Sequence, residues 1–271
     1  MSSLTTSELQ GLAEIARDAA REAAAHVATG WRKHPAFEHK GSIDLVTRFD
    51  RESEEILRDR LGRATRFAFV GEETGGAEAR EGAPCWYVDP IDGTTNFVHG
   101  HFFYCVSVGL AAGGLPLVGA VVAPALGTEW VGVADGASTR NGEPCRVSAT
   151  ADFAQSFLAT GFPYDRATSD DNNFDAFVTL KKRCQAVRRC GAAAIDLCLV
   201  ADGTYDGYWE KKVKSWDLAA GAAIVLGAGG RISRYDGSAG DITSGDMIAT
   251  NAKIHDALVR ELAAVRSSRE G

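Results

Sequence analysis

Two carboxylates, Asp89 and Asp92, follow an apolar segment in the first half of the chain. The proline between them restricts the backbone, and Gly93 permits a close approach of the main chain to a ligand. Thr94 or the next threonine can cap a following helix, whose N–H groups and dipole favour an anion. This combination suggests divalent cations that hold a phosphate. Taken alone, the segment is equally compatible with a strand that ends in ordinary turn residues.

Two further acidic segments accompany it. An apolar run at 67–70 breaks at a glycine and is followed by Glu72 and Glu73, and Asp217 begins a segment of small residues at 216–227. A carboxylate at a helix start can cap N–H groups or reach outward to a ligand. Read separately, the glutamates are compatible with a surface turn and the aspartate with a helix cap.

Together, the three segments resemble the ordered motifs of the inositol monophosphatase family. The motifs are GEE at 71–73, DPIDGTTNF at 89–97 and WDLAAG at 216–221, and the resemblance spans roughly residues 40–250. It implies a magnesium-dependent, lithium-sensitive hydrolase that acts as a phosphatase on a sugar or polyol phosphate.

The resemblance also implies an α/β (α+β layered) fold, a five-layer α-β-α-β-α sandwich of the inositol monophosphatase and fructose-1,6-bisphosphatase type. Residues 1–148 are expected to form an N-terminal α+β domain that carries most metal ligands. Residues 149–271 are expected to form a C-terminal α/β domain that carries the substrate contacts and Asp217.

Metal ligands follow from matching the motifs residue by residue. Glu72, Asp89 and the carbonyl of Ile91 are expected to hold a first metal, whereas Asp89, Asp92 and Asp217 hold a second. Ligands that are all oxygen, without His or Cys, favour Mg²⁺ over zinc, at about 2.0 to 2.1 Å with several waters retained. Two or three Mg²⁺ ions per active site are expected, with Glu73 supporting Glu72 or binding a further weak metal.

Thr94, Asp50 and Glu72 are the expected catalytic residues. The resemblance implies that the Thr94 hydroxyl orients the attacking water and that Asp50 is its hydrogen-bond partner, because a threonine hydroxyl is no base by itself. Asp50 is equally compatible with a helix N-cap. Lys40 resembles a basic residue of the family, but it stands one position closer to Asp44 than in some members.

The phosphate is expected on the N–H groups of Gly93 and Thr94. The remainder of the substrate is expected near residues 189–196, which resemble the family's strand-to-helix turn that contacts ring hydroxyls, and near Glu210, which matches the family's polyol-binding acid. Ala192 departs from the family, since many members have Ser or Thr there. The implied substrate-binding residues are Glu72, Ile91, Asp92, Gly93, Thr94, Gly191, Ala192, Ala193, Glu210 and Asp217.

Composition narrows the class of protein. The chain has 271 residues, 45% hydrophobic and 24% charged, which is typical of a soluble globular protein of one large or two smaller domains. A net charge of −7 argues against binding to nucleic acid by bulk electrostatics, without forbidding a local contact. Without an apolar run of transmembrane length or a signal-like N-terminus, the protein is expected to be cytoplasmic and free of membrane. The six cysteines include no CxxC pair and are expected to be reduced.

The pattern along the chain predicts where the elements lie. A capping box at Ser7–Gln10 is expected to open a helix that ends at Gly30, and a second helix is expected to begin near Asp50 and to end at Gly62. Strands in direct succession predict antiparallel pairing up to residue 148, and alternating strands and helices follow. The first-half strands are predicted at 67–72, 85–89, 102–112, 115–124, 128–134 and 143–148, and the last helix from about residue 251.

Several functions remain open at this point. The same chemistry could serve inositol phosphate or another polyol phosphate, histidinol phosphate, fructose bisphosphate or a 3′-phosphorylated nucleotide; Glu210 favours a ligand with hydroxyls or an amine, and the short 75–85 loop disfavours the last two. A regulatory, transcription-associated binding module would need a larger basic surface than 181–183 and 188–189 provide. A structural metal-binding protein would not need Thr94 and Asp50. The resemblance suggests a homodimer.

Overall fold

Two β-sheets alternate with three layers of helices in the computed structural model, which describes residues 4–41, 43–76 and 82–270, the last five as backbone only. The helices are α1 (Thr6–Ala28), α2 (Arg48–Ala64), α3 (Thr94–Val98), α4 (Phe174–Lys181), α5 (Ala193–Ala201), α6 (Ser215–Gly227) and α7 (His255–Glu270). Short 3₁₀ turns lie at Pro124–Leu126 and Phe153–Gln155. Among the described residues, no helix has the length and apolar character needed to cross a membrane.

The strands form a hairpin and two larger sheets. The hairpin is β1 (Phe37–His39) and β2 (Leu45–Thr47). The seven-stranded sheet contains, in spatial order, β3 (Ala68–Gly71), β4 (Pro84–Asp92), β5 (Cys105–Ala112), β6 (Leu115–Ala123), β7 (Thr128–Val133), β8 (Ser138–Arg140) and β9 (Glu143–Cys145). The five-stranded sheet has the order β11-β10-β12-β14-β13 and contains β10 (Phe157–Thr160), β11 (Ala186–Arg188), β12 (Gly207–Lys211), β13 (Arg231–Ser233) and β14 (Asp246–Thr250).

The predicted five-layer α-β-α-β-α sandwich is confirmed. Helices α1 and α2 cover the outer face of the larger sheet, α5 and α6 lie between the two sheets, and α4 and α7 cover the outer face of the smaller sheet. Helix α6 is apolar around its whole circumference because it is buried on both sides. It packs closely because β5 and β6 present glycines to it: a Cβ on Gly109 would lie 2.5 Å from Ala219 Cβ.

Both sheets share one hydrophobic core through α5 and α6. Val121 of the larger sheet, Ile195 of the middle layer and Ala249 of the smaller sheet belong to the same buried cluster. The last strand of the larger sheet ends at Cys145 and the first strand of the smaller sheet begins at Phe157, so the chain passes from one sheet to the other close to the predicted boundary. Whether 1–148 and 149–271 are independent domains stays a prediction. The six cysteines, all within the described residues, form no disulfide bond, as expected of reduced side chains, and three of them are buried.

Two helix boundaries predicted in the first half of the chain are wrong, the start of α1 and the end of α2. The capping box of α1 pairs Thr5 with Glu8, not Ser7 with Gln10, since a glutamate carboxylate is a charged acceptor that the helix dipole favours. Helix α2 begins at Arg48, close to the start predicted near Asp50, but it continues to Ala64 through the position where Gly62 was expected to end it.

Strand predictions need three corrections. The pair β3 and β4 is parallel, although direct succession suggested antiparallel pairing, because the segment that joins them is long enough for a crossover. The strand predicted at 143–148 ends at Cys145 and is preceded by β8, which the sequence pattern did not indicate. The hairpin of β1 and β2 was also not predicted, and α7 begins at His255 rather than residue 251.

Candidate active site

A cavity of about 650 Å³ lies where the ends of β4 and β12 meet the starts of α3, α5 and α6. Its wall contains residues from both halves of the sequence. The predicted site residues that line it are Glu72, Asp89, Ile91, Asp92, Gly93, Thr94, Gly191, Ala192, Ala193, Glu210 and Asp217. A second cavity, of about 510 Å³ beside the start of α2, contains none of them.

A bulge at the end of β4 explains how Asp89 and Asp92 reach the same cavity. In a regular strand, residues three apart point to opposite faces. Here Asp89 pairs with Ser107 whereas Asp92 pairs with Cys105, so β4 contains one residue more than β5. Pro90 lacks an N–H and suits this interruption of the ladder. The extra residue brings both carboxylates to one side.

Each of three acids in the cavity has one oxygen bonded to a main-chain N–H. These bonds orient the carboxylates and leave the second oxygen of each for another partner. The donors are Ile91 N for Asp89 Oδ1 at 2.9 Å, Ala194 N for Asp92 Oδ2 at 2.7 Å and Lys214 N for Asp217 Oδ2 at 3.0 Å.

Burial and mutual repulsion disfavour the ionised forms of these acids. Burial, together with the charges of Glu72 and Asp92, raises the pKa of Asp89 well above its ordinary value. Burial also raises the pKa of Asp92 to about 7, against the N–H of Ala194, and raises the pKa of Asp217. Buried carboxylates of this kind are stabilised by cations. Within the described ranges, however, no three His, Cys, Asp or Glu side chains already form a compact metal-binding group.

Asp50 holds the Thr94 hydroxyl, as predicted. Its Oδ2 accepts the N–H and hydroxyl of Thr47 at 2.7 and 2.6 Å, and its Oδ1 lies 3.1 Å from Thr94 Oγ1. Asp50 is therefore the third residue of α2 in a capping box, not the N-cap. The Thr94 hydroxyl has a second acceptor, the carbonyl of Ile91 at 2.9 Å. Burial raises the pKa of Asp50 to about 6, although the bonds from Thr47 oppose this shift.

Gly93, rather than a threonine, caps α3. Its φ of 90° is in the left-handed region, and no side chain caps the helix. A Cβ at this position would lie 3.0 Å from Phe103 O. Asn96 then links the segments around this turn, because its Nδ2 donates to Phe103 O at 2.6 Å and to Cys190 O at 2.9 Å. This role of Asn96 was not predicted, although the residue lies within the DPIDGTTNF motif.

Lys40 has a clear position despite its unusual spacing. Its Nζ lies 2.7 Å from Glu72 Oε1 and 2.8 Å from Glu73 Oε1. Burial opposes the charged form of Lys40, but the two glutamates outweigh it and raise the pKa of the ammonium. Burial raises the pKa of Glu73 to about 7 against the effect of Lys40. The lysine follows β1, so the unpredicted hairpin is what brings it to the cavity.

The opposite wall is formed by α5 and β12. Glu210 is oriented by the Tyr208 hydroxyl, which donates to its Oε2 at 2.5 Å, and a Cβ on Gly161 would collide with its carboxylate. Burial raises the pKa of Glu210 to about 7. Ala192 is the N-cap of α5 but supplies no side-chain acceptor, and Asp92 accepts the Ala194 N–H instead.

Comparisons with known proteins agree with this geometry. The model of the inositol monophosphatase family matches residues 8–267. Inositol-1-monophosphatase of Synechocystis sp. is 43% identical over 95% of this chain and 91% of its own length. A protein of Pasteurella multocida named Nus factor SuhB is 35% identical over 89% of this chain and 91% of its own.

Solved structures of proteins from the same family share this fold. The solved inositol monophosphatase of Anabaena (Nostoc) sp. superposes with a TM-score of 0.86 and 37% identity, over 94% of this chain and 96% of that chain. The suhB protein of Bartonella henselae gives 0.85 and 31%, over 93% and 98%. Sequence and fold therefore agree that the chain belongs to the inositol monophosphatase family and is a phosphatase enzyme of that family.

Proposed function

We propose that the protein is a magnesium-dependent phosphomonoesterase that hydrolyses inositol monophosphate or a related polyol phosphate. The observation that carries this proposal is the hydrogen bond between Thr94 and Asp50 beside three oriented, buried acids. A protein that only binds metal needs the acids but not a positioned hydroxyl with a carboxylate behind it.

The acids are suited to a hard cation. Asp89 and Asp217 are buried carboxylates with raised pKa values, and each has one oxygen free of a main-chain bond. We assign Glu72, Asp89 and the Ile91 carbonyl to one Mg²⁺, and Asp89, Asp92 and Asp217 to another, with Glu73 supporting Glu72 or holding a third ion. Ions held by these residues would supply the positive charge that neutralises the phosphate, lowers the pKa of a nearby water and stabilises the departing oxygen.

Thr94 and Asp50 orient the attacking water. When the Thr94 hydroxyl donates its one proton to Asp50, the lone pairs of Oγ1 are directed toward the cavity and can accept a hydrogen bond from water. Asp50 is held by Thr47 through two bonds, so the hydroxyl is oriented before substrate arrives. Glu72, fixed by Lys40, lies on the same side of the cavity and completes the assigned catalytic set.

The substrate lies across both walls in this proposal. Its phosphate faces the N–H groups of Gly93 and Thr94, and its leaving group extends toward Gly191, Ala193 and Glu210. We also propose that the enzyme is inhibited by lithium and forms a homodimer, both of which the family resemblance implies. We place it in the cytoplasm, the compartment in which its six cysteines are expected to stay reduced.

A phosphate-release assay with and without Mg²⁺ tests the proposal. We expect release from inositol monophosphate only with Mg²⁺, and slower release from histidinol phosphate, fructose bisphosphate and a 3′-phosphorylated nucleotide. Faster turnover of one of these three would show that this compound is the preferred substrate and that the reaction is the same phosphomonoester hydrolysis. Release that does not need a divalent ion, or none from any member of the panel, would refute the proposed function.

A further inference from the structure

A second buried acid of α2, Glu54, lies one turn after Asp50 on the same side of the helix. Residues four apart in a helix project from one face. Asp50 is fully buried and Glu54 is only 1% exposed. Neither carboxylate lines the cavity, and Asp50 acts on it through Thr94. No role was predicted for Glu54, and the mechanism above does not use it.

The Glu54 carboxylate holds the turn that follows β3. Its Oε2 accepts the N–H of Glu73 at 2.7 Å, and its Oε1 accepts the N–H of Thr74 at 3.0 Å. The hydroxyl of Thr74 donates to the same Oε1. Both carboxylate oxygens are therefore bonded to the two residues that directly follow Glu72, which we assigned to the first Mg²⁺.

Arg58 balances the buried charge of Glu54. Its Nη2 lies 3.4 Å from Glu54 Oε1 and also donates to the Thr74 hydroxyl. The guanidinium carbon lies 4.1 Å from the centroid of the Phe69 ring, so the cation stacks on β3. A buried charge is stable only when it is paired and hydrogen-bonded, and these contacts meet both conditions.

Gly71, the first residue of the GEE motif, makes this contact possible. A Cβ at this position would lie 2.4 Å from Glu54 Oε2, which is closer than real Cβ atoms approach other atoms. The Gly71 N–H donates to the carbonyl of Gly75 at 3.0 Å, and the Glu72 N–H donates to the carbonyl of Val88 at 3.3 Å. The main chain around Glu72 is thus held by β4 on one side and by Glu54 on the other.

We propose that Glu54 is a positioning residue that fixes the turn at 71–74, so that Glu72 is held in the cavity before a cation binds. This inference rests on the proposed function and deepens it. Groups behind a metal ligand orient that ligand, and their loss lowers metal affinity or activity roughly 10- to 100-fold. Glu54 serves Glu72 as Asp50 serves Thr94, so α2 orients both a metal ligand and the hydroxyl that orients water.

Separate measurements of Mg²⁺ affinity and of turnover test the assignment. We would titrate the metal-free full chain with Mg²⁺ by calorimetry and follow phosphate release from inositol monophosphate as the Mg²⁺ concentration is raised. In Glu54→Gln the shape is kept, but the amide nitrogen cannot accept an N–H. Gly71→Ala pushes the Glu54 carboxylate away and leaves its charge in place. Glu55→Gln is the matched control, because Glu55 is the next residue of α2, is exposed and does not line the cavity.

Glu54→Gln and Gly71→Ala should each raise the Mg²⁺ dissociation constant about tenfold, because Glu72 is no longer held in place. The Mg²⁺ concentration for half-maximal phosphate release should rise by the same factor. At saturating Mg²⁺, kcat should stay within about twofold of the wild-type value, since the bound ion restores the position of Glu72. A merely structural role would lower the metal-free Tm and leave both Mg²⁺ values unchanged. Glu55→Gln should change none of these quantities.

Two results would overturn the inference. One is wild-type Mg²⁺ affinity in either variant, so a single folded variant is enough to decide. The other is a loss of kcat that saturating Mg²⁺ does not restore, because Glu54 would then not act through a metal ligand. Unchanged Mg²⁺ affinity beside a Mg²⁺-dependent wild type removes the inference and leaves the proposed function, whereas a wild-type protein that releases phosphate without a divalent ion removes both.

Discussion

Helices α1 and α2 begin with the same motif, but only one of these starts lies at the cavity. In α1, the N–H and hydroxyl of Thr5 both donate to Glu8 at 2.7 Å. In α2, the N–H and hydroxyl of Thr47 donate to Asp50 at 2.7 and 2.6 Å. The first box is exposed, whereas Asp50 is buried and also contacts Thr94.

The two carboxylates differ in their pKa. The bonds from the main chain and side chain of Thr5 lower the pKa of Glu8, because water still solvates its charge. Asp50 receives the same bonds, yet burial outweighs them and raises its pKa to about 6. The local geometry of the two capping boxes is therefore alike, and the one in α2 differs because its carboxylate is buried and also contacts Thr94.

The largest loss of activity is expected on substitution of Asp217, which has the same position in α6 that Glu8 has in α1 and Asp50 has in α2. Asp217 is the third residue of α6 and accepts the N–H of Lys214 at 3.0 Å, but it faces the other acids of the cavity. Asp217→Asn should lower Mg²⁺-dependent kcat/KM by roughly three orders of magnitude, since several kcal/mol of metal-derived stabilisation is lost. Phosphate release measures the loss. The control Glu8→Gln should keep full activity, and an active Asp217→Asn enzyme would remove the metal assignment.

A smaller but selective loss is expected for Asp50→Asn. Without a charged acceptor, the Thr94 hydroxyl loses its orientation, and kcat should fall roughly 100-fold while KM changes little. Thr94→Ala should give a similar loss, and the double variant should be no worse than either single one. A rise in KM at constant kcat would contradict the role in orienting water. Thr94→Ser, which keeps the hydroxyl, should retain most of the rate.

Stability should depend on pH and on Mg²⁺ in a defined direction. Asp50, Asp92 and Glu210 have folded-state pKa values of about 6, 7 and 7, above their unfolded values. The metal-free folded state therefore binds more protons than the unfolded chain between about pH 4 and 7, and its stability falls as pH rises through this window. Thermal unfolding should show a lower Tm at pH 8 than at pH 5, and Mg²⁺ should raise Tm more at pH 8. A metal-free Tm that rises with pH would contradict the shifts.

The lowered pKa of Glu8 has the opposite consequence. Its contribution is present above the unfolded pKa and is lost as pH falls, so Glu8→Gln should leave the slope between pH 5 and 8 unchanged.

The smallest expected changes come from substituting the two N-cap threonines, and they compare the two capping boxes most directly. Thr5→Ala and Thr47→Ala should each lower the free energy of unfolding by about 1 kcal/mol, the usual cost of an N-cap hydroxyl. Only Thr47→Ala should also lower kcat, severalfold, because only its partner Asp50 holds Thr94. Urea unfolding measures the first quantity and phosphate release the second. Equal activities of the two variants would mean that the capping box of α2 is merely structural.

The sequence was most informative about residues whose chemical type and spacing within a short segment already determine what they contact. The spacing of Asp89 and Asp92 indicated a turn toward a ligand, and the bulge of β4 produces that turn within a few residues. The motif order predicted that Asp217 would join them, and all three line one cavity. The layered fold followed from the same resemblance and from the alternation of strands and helices.

Other features were not predictable from the local pattern of residues. Thr5 and Ser7 both precede a suitable acceptor by three residues, and only the charge of Glu8 decides between them. The place of Lys40 depends on a hairpin of two short strands, too brief for a periodic pattern.

Asp92 has a consequence for the order in which the molecule folds. Because Ala192 gives α5 no hydroxyl of its own, the first turn of that helix is completed only by a carboxylate from β4, 102 positions earlier in the chain. The helix start and the strand end are then formed or lost as one cooperative unit. Hydrogen exchange at the Ala194 amide should accordingly follow global unfolding rather than fraying of the helix, and an enzyme assembled this way acquires its reaction centre late, when both halves of the polypeptide have met.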